Sequence, residues 1–193
     1  KFDKLLFFYL FIWVGNFSYF MKQRNSAILS YGRTIRKATA NDVSLIMDFI
    51  RQGRAKMIAA GNVNQWSDKH PSRQTIEKDI AQGASYLLCE NDTPIATFAL
   101  LAGPEPTYSY IEGGRWLDDQ AYYVIHRVAS VEGVHGVMYD IIAYCLSLTS
   151  TIRIDTHADN YPMQAVLKRL GFNYCGIIYL EDGSQRQAYQ LSL

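Results

Sequence analysis

The feature that most limits the fold of this chain is a succession of strand, loop, helix and strand patterns between residues 121 and 156. The β-branched and aromatic residues of Ala121–Ala129 predict a strand, and the glycine-bearing loop SVEGVHG leads from it into a helical pattern at Val137–Leu148. A second strand pattern follows at Ile152–Thr156. Strands that are joined through a helix tend to pair in parallel, so we expect a parallel pair inside a mixed sheet.

Strand and helix patterns elsewhere complete one α/β domain. Upstream, the predicted elements are a strand at Thr34–Lys37, helical patterns from Thr39 to Gly61 and at Ser72–Gln82, and a hairpin of Ala84–Cys89 with Ile95–Leu101. Downstream, they are a helix at Met163–Leu170 and strands at Tyr174–Leu180 and Gln187–Leu191. This order predicts a mixed central sheet of about six to seven strands flanked by about four helices.

Composition and charge exclude several classes of function. The 193 residues carry 19 Lys and Arg against 18 Asp and Glu, so no strong field draws the chain to nucleic acid or anionic lipid, and a small-molecule partner is favoured. The three cysteines, Cys89, Cys145 and Cys175, lie in apolar runs, which indicates reduced thiols and a cytoplasmic protein. The histidines and cysteines never fall at ligand spacing, so no metal site is predicted.

Residues 1–33 are expected to form an extension ahead of a domain that spans residues 34–193. The first twenty residues are apolar behind a lysine-flanked start, which is typical of a secretory signal or a membrane anchor. The run Leu5–Val14 is too short to span a bilayer, and no small-residue cleavage site follows it. We therefore favour a segment upstream of a true start at Met21, or an extra element packed on the domain, over membrane attachment.

The loop between the predicted strand and helix is a candidate anion site. A strand that runs through glycines into a helix presents several backbone N–H groups and the positive end of the helix dipole. A pyrophosphate there would gain about 0.3–1 kcal/mol per charge from the dipole, besides its hydrogen bonds. The turn consists of Gly133, Val134, His135, Gly136, Val137 and Met138. Two glycines three residues apart are a weak signal alone, and an ordinary turn is the competing interpretation.

From residue 34 onward the sequence resembles the GCN5-related N-acetyltransferase (GNAT) family in the order and spacing of its elements. The acyl-CoA motif of that family is a valine at the end of the fourth strand, followed five residues later by Q/R-x-x-G-x-G/A at the start of the third helix. With Val128 on that valine, Gly136 falls on the first motif glycine. Gly133 replaces the Gln or Arg, and Met138 replaces the final Gly or Ala. The resemblance implies a GNAT fold whose loop binds the pyrophosphate of acetyl-CoA, the co-substrate.

The segment IRIDTHADNYPMQAVLKRLGFNYCGI is similar to the strand, Asn, helix and closing L-G-F of the same family. The resemblance implies that Asn160 contacts CoA. Leu167 occupies the position where many members have a tyrosine proposed to protonate the departing thiolate, so that acid is missing. The departures leave open a non-catalytic module that binds or senses acyl-CoA. A membrane-tethered adaptor, suggested by residues 1–20, is a third hypothesis.

The resemblance also implies that an amine attacks the thioester directly, between the splayed fourth and fifth strands. At pH 7 nearly all of a primary amine is protonated, so a general base is worth roughly 100- to 10,000-fold. The positions where many members have Glu or His are Val124 and Tyr122, and His126 shares their face by strand alternation. We predict that His126 is the base and Tyr122 its hydrogen-bonding partner or an acid. A packed strand histidine is the alternative for His126.

Aromatic and acidic side chains are expected around the acceptor. In this fold two segments generally border the acceptor site, and here they contain Trp66, Tyr110, Glu112, Trp116 and Asp119. Rings and a carboxylate suit a cationic amine, although plain packing explains many such rings. The predicted reaction is transfer of an acetyl group from acetyl-CoA to an amine of a small molecule or peptide. Nucleic acid is not an expected partner, and assembly as a homodimer stays open.

Overall fold

A computed structural model describes Leu29 and residues 32–193 of the chain. The strands are β1 Arg33–Lys37, β2 Ser85–Glu90, β3 Thr93–Ala102, β4 Tyr123–Ser130, β5 Thr151–Thr156, β6 Asn173–Tyr179 and β7 Gln185–Ser192. The helices are α1 Val43–Ala59, α2 Arg73–Ala81, α3 Val137–Leu146 and α4 Tyr161–Arg169. The predicted element order, the α/β class and the mixed sheet are confirmed. Of the extension predicted at residues 1–33, residues 1–28, 30 and 31 lie outside the described residues.

All seven strands form one sheet, in the order β1-β2-β3-β4-β5-β7-β6. Every neighbouring pair is antiparallel except β4 with β5, which confirms the predicted parallel pair. This pair is joined only at Tyr123 with Ile152 and at Val124 with Arg153. Because β4 continues to Ser130 and β5 to Thr156, the sheet is open between the two strands beyond these positions.

The two faces of the sheet are covered by different elements. On one face α3 and α4 pack against Leu88, Phe98, Ile125 and Ile154, and Leu167 of α4 is fully buried there. On the other face α1 and α2 cover Leu87, Cys89 and Ala129, and the segment between β3 and β4 covers Val124 and Ala188. All three cysteines are free and buried, as predicted for core thiols. Among the described residues no helix has the length and apolar character needed to cross a membrane.

The start of α1 is held by a carboxylate that joins it to β1. Asp42, in a 3-10 turn before α1, accepts hydrogen bonds from the Thr39 N–H and hydroxyl at 2.8 and 2.9 Å. Two Nη atoms of Arg36 donate to the same carboxylate at 2.8 and 2.9 Å. The Arg36 guanidinium, with help from Thr39, holds the pKa of Asp42 far below its usual value. This capping box confirms the predicted helix start at Thr39.

Asp42→Asn should lower the free energy of unfolding by about 1 kcal/mol at pH 7, since it removes a charged cap. The folded pKa of Asp42 is depressed, so its contribution is complete above the unfolded pKa of about 3.9 and is lost as the pH falls toward the folded value. Urea unfolding of both proteins at pH 7 and pH 3 should therefore show a difference that shrinks at pH 3. An equal difference at both pH values would contradict this account.

Candidate functional site

His126 stands where β4 and β5 separate. Val124 is the last residue of β4 that pairs with β5, and its partner there is Arg153. His126 lies two residues after Val124, and Asp155 lies two residues after Arg153, so all four side chains share one face. His126 Nδ1 lies 3.7 Å from a carboxylate oxygen of Asp155, and its Nε2 lies 3.7 Å from a carboxylate oxygen of Glu105. The imidazole therefore stands between two carboxylates at the start of the opening.

The electrostatics of Glu105 reflect this arrangement. Its interaction with His126 is the main reason that the pKa of Glu105 is lower than usual, and the N–H and hydroxyl of Thr107 act in the same direction. The side chains of His126 and Glu105 are 24% and 22% exposed, so solvent weakens the pairing only in part. Both distances of 3.7 Å exceed the length of a direct hydrogen bond, so neither imidazole nitrogen is directly hydrogen-bonded to these carboxylates.

Tyr108 completes this cluster, which we define as His126, Glu105, Asp155 and Tyr108. Its hydroxyl donates to the Asp155 carboxylate at 2.7 Å, and its ring lies 6.4 Å from the His126 ring, centre to centre. Tyr108 is buried, and burial together with the Asp155 charge raises its pKa well above the usual value. The hydroxyl is therefore a hydrogen-bond donor that orients Asp155 and does not act as a base.

Tyr122, the predicted partner of His126, reaches the cluster only indirectly. Its hydroxyl accepts a hydrogen bond from the Glu105 backbone N–H at 3.0 Å. Its ring lies 3.9 Å from the guanidinium carbon of Arg153, and Trp116 covers the same guanidinium at 4.2 Å. Tyr122 and Trp116 therefore pack around Arg153. Tyr122 also positions Glu105 through the hydrogen bond to its backbone N–H.

A β-bulge follows His126. His126 is opposite Ala99 of β3 and Ala129 is opposite Thr97, so Arg127 and Val128 both face the one residue between them. Arg127 has a φ of 56°, and its Nε lies 3.1 Å from the buried carboxylate of Asp79 on α2. Strand alternation therefore holds from Val124 to His126 but does not extend to Val128. Val128 itself is half-buried at the edge of the helix-covered core formed by α3 and α4.

The predicted anion loop has the backbone that such a site needs. Gly133 and Gly136 have φ values of 76° and 77°, and Gly136 is the N-cap of α3. Among the described residues, the backbone N–H groups of residues 133–138 have no acceptor. Val137 and Met138 are buried, with their side chains in the core beneath α3, so Met138 leaves the surface of the loop open. His135 is exposed, and Val134 packs on the edge of the core.

Arg33, the first residue of β1, holds this loop from below. Its Nη1 donates to the His135 carbonyl at 2.8 Å and to the Asp140 carboxylate at 2.9 Å, and its Nε donates to Glu90 at 2.8 Å. The Arg33 side chain is 6% exposed and that of Asp140 is fully buried. The loop and the first turn of α3 are therefore fixed to the edge strand by a buried ion pair.

Asn160 serves as the N-cap of α4. Its Oδ1 accepts from the Met163 N–H at 3.2 Å, and its Nδ2 donates to the Gln65 side-chain oxygen at 2.8 Å. That oxygen also accepts from the Thr156 hydroxyl at 3.3 Å and the Asn62 amide at 2.7 Å. Gln65 thereby fastens the connection between α1 and α2 to the end of β5. The predicted contact of Asn160 with CoA stays a prediction.

Four of the five residues predicted around the acceptor, Trp66, Tyr110, Glu112 and Trp116, do not come together. Trp66 packs on α1 beside Gly53, and Trp116 lies between Tyr108 and Arg153. Tyr110 is 62% exposed and stands 6.2 Å from the Tyr179 ring. Glu112 forms a β-bridge with Ile177 and accepts a hydrogen bond from the Tyr179 hydroxyl. Of the four, only Trp116 touches the cluster around His126.

In the described part of the chain no group of three or more His, Cys, Asp or Glu is arranged to hold a metal.

No protein-family model matches the sequence, and no curated protein matches it either. Among solved structures, an acetyltransferase of the GNAT family from Streptococcus agalactiae is 31% identical, with 86% of this chain and 98% of that chain covered and a TM-score of 0.77. A GNAT-family acetyltransferase from Listeria monocytogenes is 21% identical, with 83% and 95% covered and a TM-score of 0.63. The ribosomal-protein-S18-alanine N-acetyltransferase from Escherichia coli shares the fold at 15% identity, with 83% and 93% covered and a TM-score of 0.54.

His126→Gln should raise the pKa of Glu105 toward the ordinary value of a glutamate, because His126 is the main cause of the depression. Carbon-13 NMR titration of the side-chain carboxyls measures this directly. The matched control is His157→Gln, which removes a histidine 3.4 Å from Asp159 that is not among the causes of the Glu105 shift. A Glu105 titration that is the same in His126→Gln and in the wild type would show that the two groups are not coupled.

Proposed function

Because this chain belongs to the GNAT family of acetyltransferases, we propose that it transfers an acetyl group from acetyl-CoA to an amine, with His126 as the general base. The observation that supports this most is the position of His126 between Glu105 and Asp155, where β4 and β5 separate. An amine held in that opening meets a histidine and two carboxylates on one face of the sheet.

The fit of the loop supports acetyl-CoA as the co-substrate, which supplies an activated thioester. The N–H groups of residues 133–138 suit a pyrophosphate, and α3 directs the positive end of its dipole toward them. Gly133 and Gly136 keep this surface free of side chains, and Arg33 keeps the loop in place. The edge of β4 beyond Val124 is open for backbone hydrogen bonds to an extended ligand.

The residues around His126 fit a proton transfer. In the proposed reaction a C–N bond forms, the C–S bond breaks, and the proton of the amine passes to His126. Glu105 and Asp155 attract the ammonium, which releases one proton to solvent before the neutral amine attacks, and they stabilise the imidazolium that forms when His126 takes the second proton. Leu167 is buried in the core and supplies no acid, so the imidazolium returns its proton to the departing thiolate. One histidine then serves both steps.

The second candidate is a non-catalytic module that binds acyl-CoA. It is favoured by the buried Leu167 and by Gly133 in place of the motif Gln or Arg. Both candidates require CoA binding, but only the enzyme releases free CoA from acetyl-CoA when an amine is present. Thiol detection with a panel of amines, polyamines, amino acids and peptides separates the two.

Gly136→Asp should abolish CoA binding, whereas Gly136→Asn should retain most of it. Asn and Asp both tolerate the left-handed φ of 77° at this position and have nearly the same shape, so the pair differs in one negative charge beside the pyrophosphate. Isothermal titration with CoA gives the affinities, and thermal unfolding without CoA checks that both variants fold. Equal CoA affinity in the two variants would contradict the proposal that this loop binds the pyrophosphate.

His126→Gln should lower kcat by at least about 100-fold and leave the affinity for CoA unchanged, because general-base catalysis supplies roughly that factor. The control His157→Gln keeps every residue of the cluster and should retain activity. Initial rates with saturating acetyl-CoA and calorimetric CoA affinities measure both effects. Turnover by His126→Gln at the wild-type rate would contradict the assignment of the base and support the packed-histidine alternative.

A further inference from the structure

Among the residues that the structure describes, Arg186 is a buried guanidinium without a carboxylate partner. The residue is 7% exposed, on β7 next to the turn from β6. Its Nη1 donates to the Gln185 carbonyl at 2.8 Å and the Ser184 hydroxyl at 3.3 Å, and its Nη2 reaches the Gln65 carbonyl at 3.5 Å. These bonds use three of the five N–H donors of a guanidinium, and none goes to a charged oxygen.

The strand register brings Arg186 to the face of the sheet that carries His126. Asp155 of β5 is opposite Ala188 of β7, and Arg186 is two residues from Ala188, so it shares that face. Asp155 and Arg186 are thus diagonal neighbours, which ordinary sheet geometry separates by about 7–8 Å. The guanidinium also touches Gln65 in the connection between α1 and α2, which lies over this end of the sheet.

The two nearest carboxylates are turned away from Arg186. Asp155 is held toward His126 by the Tyr108 hydroxyl at 2.7 Å, and Asp182 accepts the Ser184 N–H at 2.9 Å in the turn. Both act on Arg186 through space, but among the described residues neither lies within 4.0 Å of it, and burial lowers the pKa of Arg186. A guanidinium stays charged even so, and leaving a buried charge without a counter-ion costs free energy.

Two other arginines near this site have partners that stabilise the charge of the guanidinium. Arg153 is also buried and has no ion pair with any described residue, but the rings of Trp116 and Tyr122 cover it at 4.2 and 3.9 Å. Arg127 pairs with Asp79 at 3.1 Å. Arg186 has neither a stacked ring nor an ion pair in the described part of the chain. Burial, and after it the charges of Arg127 and Arg186, lower the pKa of His70 against the effect of Asp182, so both guanidiniums act on that imidazole.

We propose that Arg186 binds a carboxylate of the acceptor, so that the acceptor is an amino acid or a similar small amine that carries a carboxylate near the reacting nitrogen. The ammonium of such a molecule lies at Glu105 and Asp155, beside His126, and its carboxylate lies at Arg186. Opposite charges of the acceptor then meet opposite charges of the protein at two neighbouring points. This inference rests on the proposed acetyl transfer and specifies its substrate class.

The experiment compares each of a set of amino acids with its own carboxamide, which has the same side chain and amine but no negative charge. Rates of CoA release are measured for the full chain, for Arg186→Gln and Arg186→Lys, and for the control Arg51→Gln, an exposed arginine paired with Asp48 on α1. The amine of a carboxamide is less basic, so a larger fraction of it is unprotonated at pH 7. A preference for the acid therefore has to come from the protein.

We expect the wild type and Arg51→Gln to favour the free acid. Arg186→Gln should lower kcat/KM for the acid by roughly 10- to 100-fold, mainly through KM, and leave the carboxamide unchanged, because a charge-assisted hydrogen bond is lost. Arg186→Lys should recover part of the preference, since it keeps the charge but loses the bidentate fork. Thermal unfolding of each variant shows whether it is folded.

Three outcomes would overturn the inference. Equal loss for acid and carboxamide in Arg186→Gln would mean that Arg186 only supports the turn between β6 and β7. A wild type that acetylates amines without preference for a carboxylate would refute the substrate class and leave acetyl transfer standing. CoA binding without turnover of any amine would also refute it and favour the non-catalytic module, whereas a chain that does not bind CoA would contradict the proposed function itself.

Discussion

The short parallel contact between β4 and β5 is the constraint on which the rest of the site depends. The two strands share only two residue pairs, while the other edge of each is paired along most of its length, β4 with β3 and β5 with β7. The bulge at Arg127 follows on β4 just past the last shared pair. Backbone groups that leave a ladder need another partner when they are buried. The opening is therefore a place where an extended ligand can supply the missing hydrogen bonds, and side chains from both strands reach it.

Charge on the face that carries His126 is arranged in a fixed pattern around this opening. Carboxylates, Glu105 and Asp155, flank His126, and Arg186 lies one diagonal step beyond Asp155. Tyr108 maintains this pattern, because its hydroxyl donates to Asp155 and holds that carboxylate toward His126 and away from Arg186. Without that hydrogen bond the aspartate and the arginine would be free to pair with each other. The same contact thus keeps the two proposed binding groups, one negative and one positive, apart.

Local patterns were enough to predict the elements, while the site needed contacts between distant segments. Helix and strand periodicity and the turn residues predicted the order of all seven strands and four helices, with differences mainly at their ends, as where α3 ends at Leu146 and not at Leu148. Tyr108 and Tyr110 sit two residues apart in the same irregular segment, yet one is buried against His126 and the other is exposed. No sequence signal separates them. Arg33 and Arg186 likewise form their hydrogen bonds with residues about one hundred positions away in the sequence, which local patterns do not predict.

The buried Leu167 bears on how a single histidine could serve the whole proposed reaction. A base that also returns the proton must release it readily, so it should not be locked in a short hydrogen bond to a carboxylate. Glu105 and Asp155 stand 3.7 Å from the imidazole nitrogens, which is longer than a direct hydrogen bond. Asp155 is in turn occupied by the Tyr108 hydroxyl, whose raised pKa keeps it protonated. The spacing of the cluster thus suits a histidine that shuttles the proton from amine to thiolate, which is the role that the missing tyrosine leaves open.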